Sequence, residues 1–401
     1  MLIRRRTALM GAATFGVGAA VATRARAQTS GAPIKFGHIV ATSGPLKSVS
    51  EPSIVAADMA VADINAHGGV NGHPLSLVRY DTGSDPRQAA IAARKLIEDD
   101  QVLAIVGPFS SGEVAVAMND AERAQTTMVP VAASRPGLIE GKKFLFRLVP
   151  DEAVGFRNVL RSLQKDNSMP TTTEILYVSD EAVSNESGTK SMPAILAEFG
   201  VKFGAPVAFQ YKTFDVAPQV AKVLESKPDI VTLASLPEPA ARAIKELRRQ
   251  GYTGRVIGSQ LYGDPNNVEL FGKDGDGVIF ASSFWKGMSP QTEAFNDAFV
   301  KECAARGIHK LGAFHTDALT YDVAHLLAQC GSTAKVSGDG AHVAAERLAI
   351  NAAMQATKSF DGLLGNGICF KGNEGQLPGY TIRIDHEKWS LFYAWPANSC
   401  A

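Results

Sequence analysis

Short apolar segments alternate with amphipathic segments along most of this sequence, and that alternation limits the possible fold more than any other feature. Asp85 followed by Pro86 is typical of a helix start, and Gly68-Gly69 is typical of a helix end. Strands that alternate with helices form βαβ units, in which helices cover both faces of a parallel sheet. The sequence therefore predicts an α/β fold, with strands at 34–41, 75–81, 102–107 and 128–133 and helices at 53–66, 85–100 and 111–124.

A second α/β series follows the first. Its strands are predicted at 174–180, 207–212, 229–235, 255–260 and 277–283, and its helices at 153–165, 187–199, 215–226 and 238–250. The remaining elements are predicted as helices at 290–306, 313–330 and 341–354 and antiparallel strands at 368–370, 380–385 and 389–395. Two such series predict two lobes.

The lobes are expected to exchange chain, because no long linker separates the two series. Three extended stretches are predicted to cross between the lobes, at 144–151, 277–285 and 363–370. We expect lobe 1 to comprise 34–147 plus about 283–364, and lobe 2 to comprise 148–282 plus about 365–398. Several short crossings form a hinge that bends without letting the lobes separate.

The first 27 residues are predicted to be an export signal, which places the mature protein in the periplasm. They combine a basic start, an apolar segment at 8–23 and the cleavage pattern Ala25-Arg26-Ala27. Arg5-Arg6 followed by Leu9 indicates the twin-arginine route, although the usual Phe after the pair is absent. The apolar segment is shorter than the ~20 residues of a membrane-spanning helix.

Charge and motifs exclude several classes of function. Without the signal, 35 Lys and Arg stand against 40 Asp and Glu, a formal charge of −5, which argues against nucleic acid as a partner. No other apolar run is long enough for stable membrane insertion. G-x-S-x-G, Walker and H-E-x-x-H motifs are absent, so we expect neither an enzyme nor a cofactor. His67 and His73 flank a Gly-rich turn and are interpreted as surface residues rather than a metal site.

Four cysteines lie in the last hundred residues. Their spacing does not match a zinc site, and export permits disulfides. We interpret them as structural, either as disulfides or as buried thiols, and the pairing stays open because four cysteines allow three pairings. They are Cys303, Cys330, Cys369 and Cys400.

Two hydroxyls stand where the strand at 102–107 gives way to a helix. Ser110 and Ser111 in GPFSSGE could cap the helix. They could also bind an anion, because free N–H groups and a partial positive charge lie at a helix N-terminus, and ligands of open α/β sheets bind beyond the carboxyl ends of strands.

Several segments carry a resemblance to a known family. They are SGP at 43–45, DINAHGGVNGHPLSLVRYDTGSDPRQAAIAARKLI at 63–97, IVGPFSS ending at Ser111, VPVAASRPGLI at 129–139 and TYDVAHLLAQ from Thr320. Together they resemble the type I periplasmic solute-binding proteins of the branched-chain amino acid (Leu/Ile/Val-binding) group, which deliver ligands to ABC transporters. The resemblance implies two Rossmann-like lobes, a three-crossing hinge, a ligand in the interlobe cleft, an inner-membrane ABC permease as partner and a monomer.

The resemblance also implies which residues bind the ligand on lobe 1. The hydroxyl of the GPxxS turn corresponds to Ser111, with Ser110 adjacent, and the segment after the next strand supplies Ala133 and Ser134. We expect Ser111 to cap its helix and to donate to a ligand carboxylate.

Lobe 2 departs from the amino-acid binders of the family. Gln260 stands where they carry an acid for the ligand ammonium, Ser184 and Asn185 stand in a loop that often carries an aromatic residue, and Leu236 precedes a proline where Tyr is common. Because an amide cannot neutralise an ammonium, the sequence favours a small carboxylate with an aromatic or hydrophobic body. Leu236, Tyr262, Phe284 and Trp285 are candidates to contact that body.

Two alternatives stay open at this point. One is a receptor for a branched-chain or related amino acid. The other is a receptor that presents its ligand to a sensing partner instead of a permease. The sequence names neither the ligand nor the cognate permease.

Overall fold

The computed structural model describes residues 29–397. The predicted export signal and its cleavage after Ala27 therefore lie outside the described residues, as does Cys400. Among the described residues, no helix is long and apolar enough to cross a membrane.

The first lobe is built on four parallel strands in the order β2-β1-β3-β4. Its first elements are β1 (Ile34–Val40), α1 (Lys47–Ser50), α2 (Pro52–Ala66), β2 (Leu75–Asp81), α3 (Pro86–Glu98), β3 (Ala104–Val106), α4 (Ser111–Arg123) and β4 (Thr127–Val129). Asp85 caps α3 by accepting from Arg87 N, and Pro86 is the first residue of that helix. This local chemistry confirms the predicted helix start.

The next elements build most of the second lobe. They are α5 (Glu152–Lys165), β5 (Thr172–Val178), α6 (Ala182–Glu186), α7 (Met192–Glu198), β6 (Lys202–Phe203), β7 (Val207–Phe209), α8 (Ala217–Leu224), β8 (Ile230–Ala234), α9 (Pro237–Arg249), β9 (Arg255–Gly258), α10 (Asn267–Phe271) and β10 (Val278–Ser282). A π-helical turn, Ser187–Ser191, joins α6 to α7, so the helix predicted at 187–199 begins earlier and contains an irregular turn.

The last elements are divided between the lobes. They are α11 (Pro290–Ala305), α12 (His315–Thr333), α13 (Val343–Gln355), β11 (Phe360–Gly362), β12 (Gly365–Lys371), β13 (Glu374–Gln376), β14 (Gly379–Asp385) and β15 (Lys388–Trp395). The second sheet has the order β15-β14-β10-β9-β8-β5-β6, with β7 also paired to β5. Its inner strands are parallel, and β14 and β15 add an antiparallel edge.

Apolar side chains cover both faces of each sheet. On the first sheet, Phe36 and Val106 face α2 and α12, while Ile39 and Ile105 face α3 and α4. The second sheet is likewise covered on its two faces by separate apolar clusters. Strands buried on both faces read as continuous apolar runs, which explains why the α/β prediction is confirmed.

The chain passes between the sheets three times within the described residues: between β4 and α5, between β10 and α11, and between β13 and β14. The last passage differs from the predicted crossing at 363–370. Strand β12 pairs with β11, and Ile368 and Leu377 are buried in the apolar cluster of the first lobe. The chain therefore reaches the second sheet only at about 377–379, because these side chains complete the first core.

The cysteines occur in two chemical states. Cys303 and Cys330 are buried free thiols, whereas Cys369 is disulfide-bonded. Burial raises the pKa of the Cys330 thiol to about 11. These thiols are therefore protonated at neutral pH and act as core residues.

Candidate functional site

A cavity lies between the two lobes. We call it the interlobe cavity. The segments that follow β3, β4, β5, β8 and β9 line it, so it lies at the carboxyl ends of strands from both sheets, where ligands of open α/β sheets bind. Its serines are Ser110, Ser111, Ser134, Ser184, Ser187, Ser235 and Ser259, its acids are Glu152 and Glu181, and its apolar residues include Leu46, Phe109, Val183, Met192, Leu236 and Leu261.

The N-terminus of α4 presents one hydroxyl to the interlobe cavity and uses the other for capping. Ser110 is the N-cap: its Oγ donates to Glu113 Oε2 (2.8 Å), and Glu113 N donates back to Ser110 Oγ (3.3 Å). The expectation that Ser111 caps this helix is therefore wrong. Ser111 is the first helical residue, and its Oγ accepts from Arg135 N (3.1 Å), which leaves its own proton for donation.

This arrangement can hold a carboxylate. The first N–H groups of a helix have no intrahelical partner, so the N–H groups of Ser111 and Gly112 point out of the first turn beside the Ser111 hydroxyl. The positive end of the helix dipole favours an anion at the same place.

The segment after β4 lines the cavity and is hydrogen-bonded to the start of α5. Ser134 lines the cavity, its carbonyl accepts from Glu152 N (2.8 Å), and its Oγ donates to Glu152 Oε2 (3.4 Å). Ala133 is fully buried directly behind it, and its carbonyl accepts from Arg147 Nη1 (3.2 Å).

Glu152 is an acid of the cavity that the sequence analysis missed. It is 5% exposed, and Gln260 donates to it from the backbone N (3.0 Å) and from Nε2 (3.3 Å). Burial raises the pKa of this carboxyl, against the opposing effect of these hydrogen bonds. No Lys, Arg or His of residues 29–397 forms an ion pair with it. The cavity thus contains a buried carboxyl without a cationic partner.

The second acid, Glu181, is already occupied by its own helix. It caps α6 by accepting from Val183 N (3.1 Å), Ser184 N (2.8 Å) and Ser184 Oγ (2.6 Å). Ser184 therefore lines the cavity with its hydroxyl proton committed to Glu181. The predicted neighbour Asn185 lies instead in a separate surface depression beside Lys190, and its Nδ2 donates to Ser179 O (2.9 Å).

Two of the remaining predicted residues fold away from the cavity. Gln260 is 4% exposed, and its amide is directed at the first crossing, where it donates to the carbonyls of Pro150 and Asp151 (3.2 Å each). Tyr262 is fully buried in the second lobe; its hydroxyl donates to Leu233 O (3.2 Å). Both lie in the tight 3-10 turn Gln260–Gly263 after β9, which directs their side chains inward.

Leu236 lines the interlobe cavity as predicted, whereas Phe284 and Trp285 line a different depression. Phe284 is 3% exposed and packs edge-on against Phe295, with 6.3 Å between ring centroids. The structure thus brings together Ser110, Ser111, Ser134, Ser184 and Leu236, and it separates from them Asn185, Gln260, Tyr262, Phe284 and Trp285.

Two of the missed residues carry a sequence signal. Ser235 and Ser259 each follow an apolar strand directly, so the positional rule that singled out Ser110 and Ser111, a side chain just beyond a strand end, would have found them. Glu152 and Ser187 have no such signal, because their places depend on how the lobes and the π-helical turn pack.

A family model described as periplasmic binding protein matches residues 33–386. Among curated relatives, the chemotactic signal transduction system substrate-binding protein BasB of Halobacterium salinarum is 28% identical over 235 residues, which cover 57% of this chain and 56% of that protein. This chain spans only 56–60% of the length of BasB and four further curated relatives.

Solved structures share the fold. The branched-chain amino acid transporter substrate binding protein LivJ from Streptococcus pneumoniae, in complex with isoleucine, superposes with a TM-score of 0.77 at 22% identity, covering 91% of this chain and 99% of LivJ. A solute binding protein of an ABC transporter from Rhodopseudomonas palustris BisB5, in complex with 3,4-dihydroxybenzoic acid, has a TM-score of 0.77 at 19% identity, covering 91% and 98%. Similar folds therefore hold chemically different acids.

Proposed function

Because the chain belongs to the periplasmic binding protein family, we propose that it is a receptor of the branched-chain amino acid group, which captures a small carboxylate between its lobes and delivers it to an ABC permease. The observation that carries this proposal is the N-terminus of α4, where the Ser111 hydroxyl faces a cavity whose opposite wall belongs to the second lobe.

The energetics favour binding by closure of both lobes. The Ser111 hydroxyl and two N–H groups offer a carboxylate three charge-assisted hydrogen bonds, each worth about 1.5–3 kcal/mol. Their sum is comparable to the estimated cost of association, roughly 4–15 kcal/mol, so the first lobe alone binds weakly. Burial of the ligand against Met192, Leu236 and Leu261 supplies the remainder and shifts the equilibrium towards the closed state.

We consider two ligand classes for this cavity, and Glu152 favours the class that carries an amine, an amino acid. The expectation of an acid without an amine rested on Gln260, whose amide cannot neutralise an ammonium. Glu152 supplies the missing acid from a different element, and a ligand ammonium would give this buried carboxyl a cationic partner. An aromatic acid without an amine is the second candidate, since Glu152 already accepts hydrogen bonds from Ser134 and Gln260 within the protein.

A ligand screen with a Ser111→Ala variant tests the proposal. We expect a subset of amino acids or aromatic acids to raise the melting temperature of residues 28–401, since a ligand at 100 times its Kd adds about 2.7 kcal/mol of stability. Ser111→Ala should lower the affinity for these ligands about 10- to 100-fold, because one charge-assisted hydrogen bond is lost.

Ser110→Ala is the matched control for that experiment. It removes the N-cap and should cost about 1 kcal/mol of stability, with a smaller change in ligand affinity, because its hydroxyl already bonds Glu113. Unchanged affinity of Ser111→Ala for every carboxylate would contradict the proposed anchor.

We propose that the protein delivers its ligand to a permease in the periplasm. Presentation of the ligand to a sensing partner is the second candidate. The similarity to BasB, whose name places it in a chemotactic system, favours sensing as the alternative. Deletion of the gene, followed by measurement of the uptake of the identified ligand, discriminates between them: loss of uptake supports transport, and loss of chemotaxis with normal uptake supports sensing.

We propose that the protein acts as a monomer, which gel filtration of the ligand-bound form tests.

A further inference from the structure

One serine of the interlobe cavity differs from all the others. Six of the cavity serines have hydrogen-bond partners within the protein: Ser110 with Glu113, Ser111 with Arg135, Ser134 with Glu152, Ser184 with Glu181, Ser235 with Leu236 and Ser259 with Leu261. Ser187 lines the same cavity and is 2% exposed, yet its Oγ has no partner among the described residues.

The Ser187 hydroxyl is hydrogen-bonded to no group of the described residues. The cavity residues Val183 and Met192 are apolar, and the carboxylate of Glu181 accepts three hydrogen bonds from its own helix. A hydroxyl that is stripped of water when the lobes close, and that is left unpaired, carries a large desolvation penalty. Binding therefore favours a ligand that brings a polar atom to this point.

The backbone holds Ser187 firmly in place. Ser187 opens the π-helical turn that interrupts the α6–α7 helix, and such turns occur often at functional sites. The next residue, Gly188, lies so close to β5 that a Cβ atom there would stand 2.4 Å from Tyr177 Cβ. The turn thus packs closely against the sheet. A shift of its backbone that would carry the Ser187 hydroxyl to another partner is therefore restricted.

We propose that Ser187 is a specificity-determining residue whose hydroxyl hydrogen-bonds a polar atom on the side chain or ring of the ligand. This inference rests on the proposed function and narrows its ligand class. The protein selects a carboxylate that carries a hydroxyl or similar group beyond its carboxylate, over the hydrocarbon analogue of the same shape.

Matched ligand pairs that differ by one hydroxyl test the inference. The probes are threonine against valine, tyrosine against phenylalanine, and 3- and 4-hydroxybenzoate against benzoate, titrated by calorimetry into the wild-type chain and Ser187→Ala. We expect the wild type to prefer the hydroxylated member of at least one pair by about tenfold or more, and Ser187→Ala to reduce that preference to near onefold. Ser191→Ala is the control: it lies in the same turn, outside the cavity, and should keep the preference.

The melting temperature of the ligand-free protein gives a second, independent measurement. Removal of an unpaired buried hydroxyl should leave that temperature unchanged or raise it, so a marked decrease in Ser187→Ala would show a structural partner and overturn the inference. Absence of any hydroxyl preference in the wild type, or an equal preference in Ser187→Ala, also overturns it. The proposed function fails separately, if carboxylate binding is absent or is insensitive to Ser111→Ala.

Discussion

Replacement of Arg147 with alanine is expected to lower the free energy of unfolding by about 2–4 kcal/mol. Arg147 is 1% exposed and lies on the first crossing between the lobes. Its Nε donates to Glu374 Oε2 (2.9 Å), and its Nη1 donates to the carbonyls of Ala133 (3.2 Å) and Arg135 (2.8 Å). Alanine would leave the buried carbonyl of Ala133 and the partly buried carbonyl of Arg135 without this donor, and it would remove the cationic partner of the partly exposed Glu374.

Urea denaturation, monitored by circular dichroism, measures this loss. We expect a lower midpoint urea concentration and an unchanged dependence of the free energy of unfolding on urea concentration. Arg147→Lys should recover only part of the stability, because an ammonium cannot reproduce the planar fork that serves several acceptors. Glu374→Gln keeps an acceptor for the guanidinium and should cost less than Arg147→Ala. If Arg147→Ala lowered the free energy of unfolding by less than about 1 kcal/mol, this network would contribute little to stability.

Arg147→Ala should also weaken ligand binding. The carbonyl of Arg135 is held by Arg147, and the backbone N of Arg135 donates to Ser111 Oγ. Loss of the guanidinium therefore loosens the segment that orients the proposed carboxylate anchor.

Replacement of Glu152 with glutamine is expected to lower the affinity for an amino acid ligand by about 100-fold. The affinity for the deaminated analogue of that ligand should be nearly unchanged. The pair leucine and 4-methylpentanoate differs only by the amine and shows the effect directly. Removal of one partner from a desolvated charge pair costs about 2–5 kcal/mol, much of it the penalty of an unpaired ligand ammonium. Isothermal titration of both ligands into both proteins measures the difference.

The pH dependence of binding supplies an independent check on Glu152. Burial raises the pKa of this carboxyl in the ligand-free protein, and a ligand ammonium would favour its ionised form. Amino acid binding should therefore release a proton at low pH, and the affinity should rise with pH until Glu152 is ionised in the free protein. In Glu152→Gln this rise should disappear.

Two results would contradict the role of Glu152. One is a wild-type protein that binds the deaminated acid more tightly than the amino acid, which would favour the aromatic or hydrophobic acid class. The other is a pH profile that is the same in Glu152→Gln as in the wild type.

Much of the fold follows from local sequence chemistry. The apolar runs at 34–41, 102–107 and 229–235 become buried strands, and the Asp85-Pro86 start of α3 is capped as predicted. Ser111, Ser134 and Leu236 reach the interlobe cavity because each follows the end of a strand, and strand ends of a parallel sheet share one edge.

The rest of the site depends on packing between elements distant in sequence. The sequence directs attention to Gln260 and Tyr262 because they follow β9, but the 3-10 turn after that strand buries both side chains. Glu152 enters the cavity because α5 begins where the chain passes between the lobes, and its backbone bonds Ser134. No local pattern marks a residue whose position is set by the meeting of two lobes.

The sequence by itself determined the α/β fold and the hydroxyls at the start of α4, because strand and helix periodicity and helix-end chemistry act over a few neighbouring residues. Only the tertiary structure decided which side chains face the interlobe cavity: Ser110 caps α4 and leaves the Ser111 hydroxyl uncommitted as a donor, Glu152 lines the cavity, and the Ser187 hydroxyl has no partner among the described residues. These outcomes depend on burial and on hydrogen bonds between segments far apart in the chain, which no short stretch of sequence encodes.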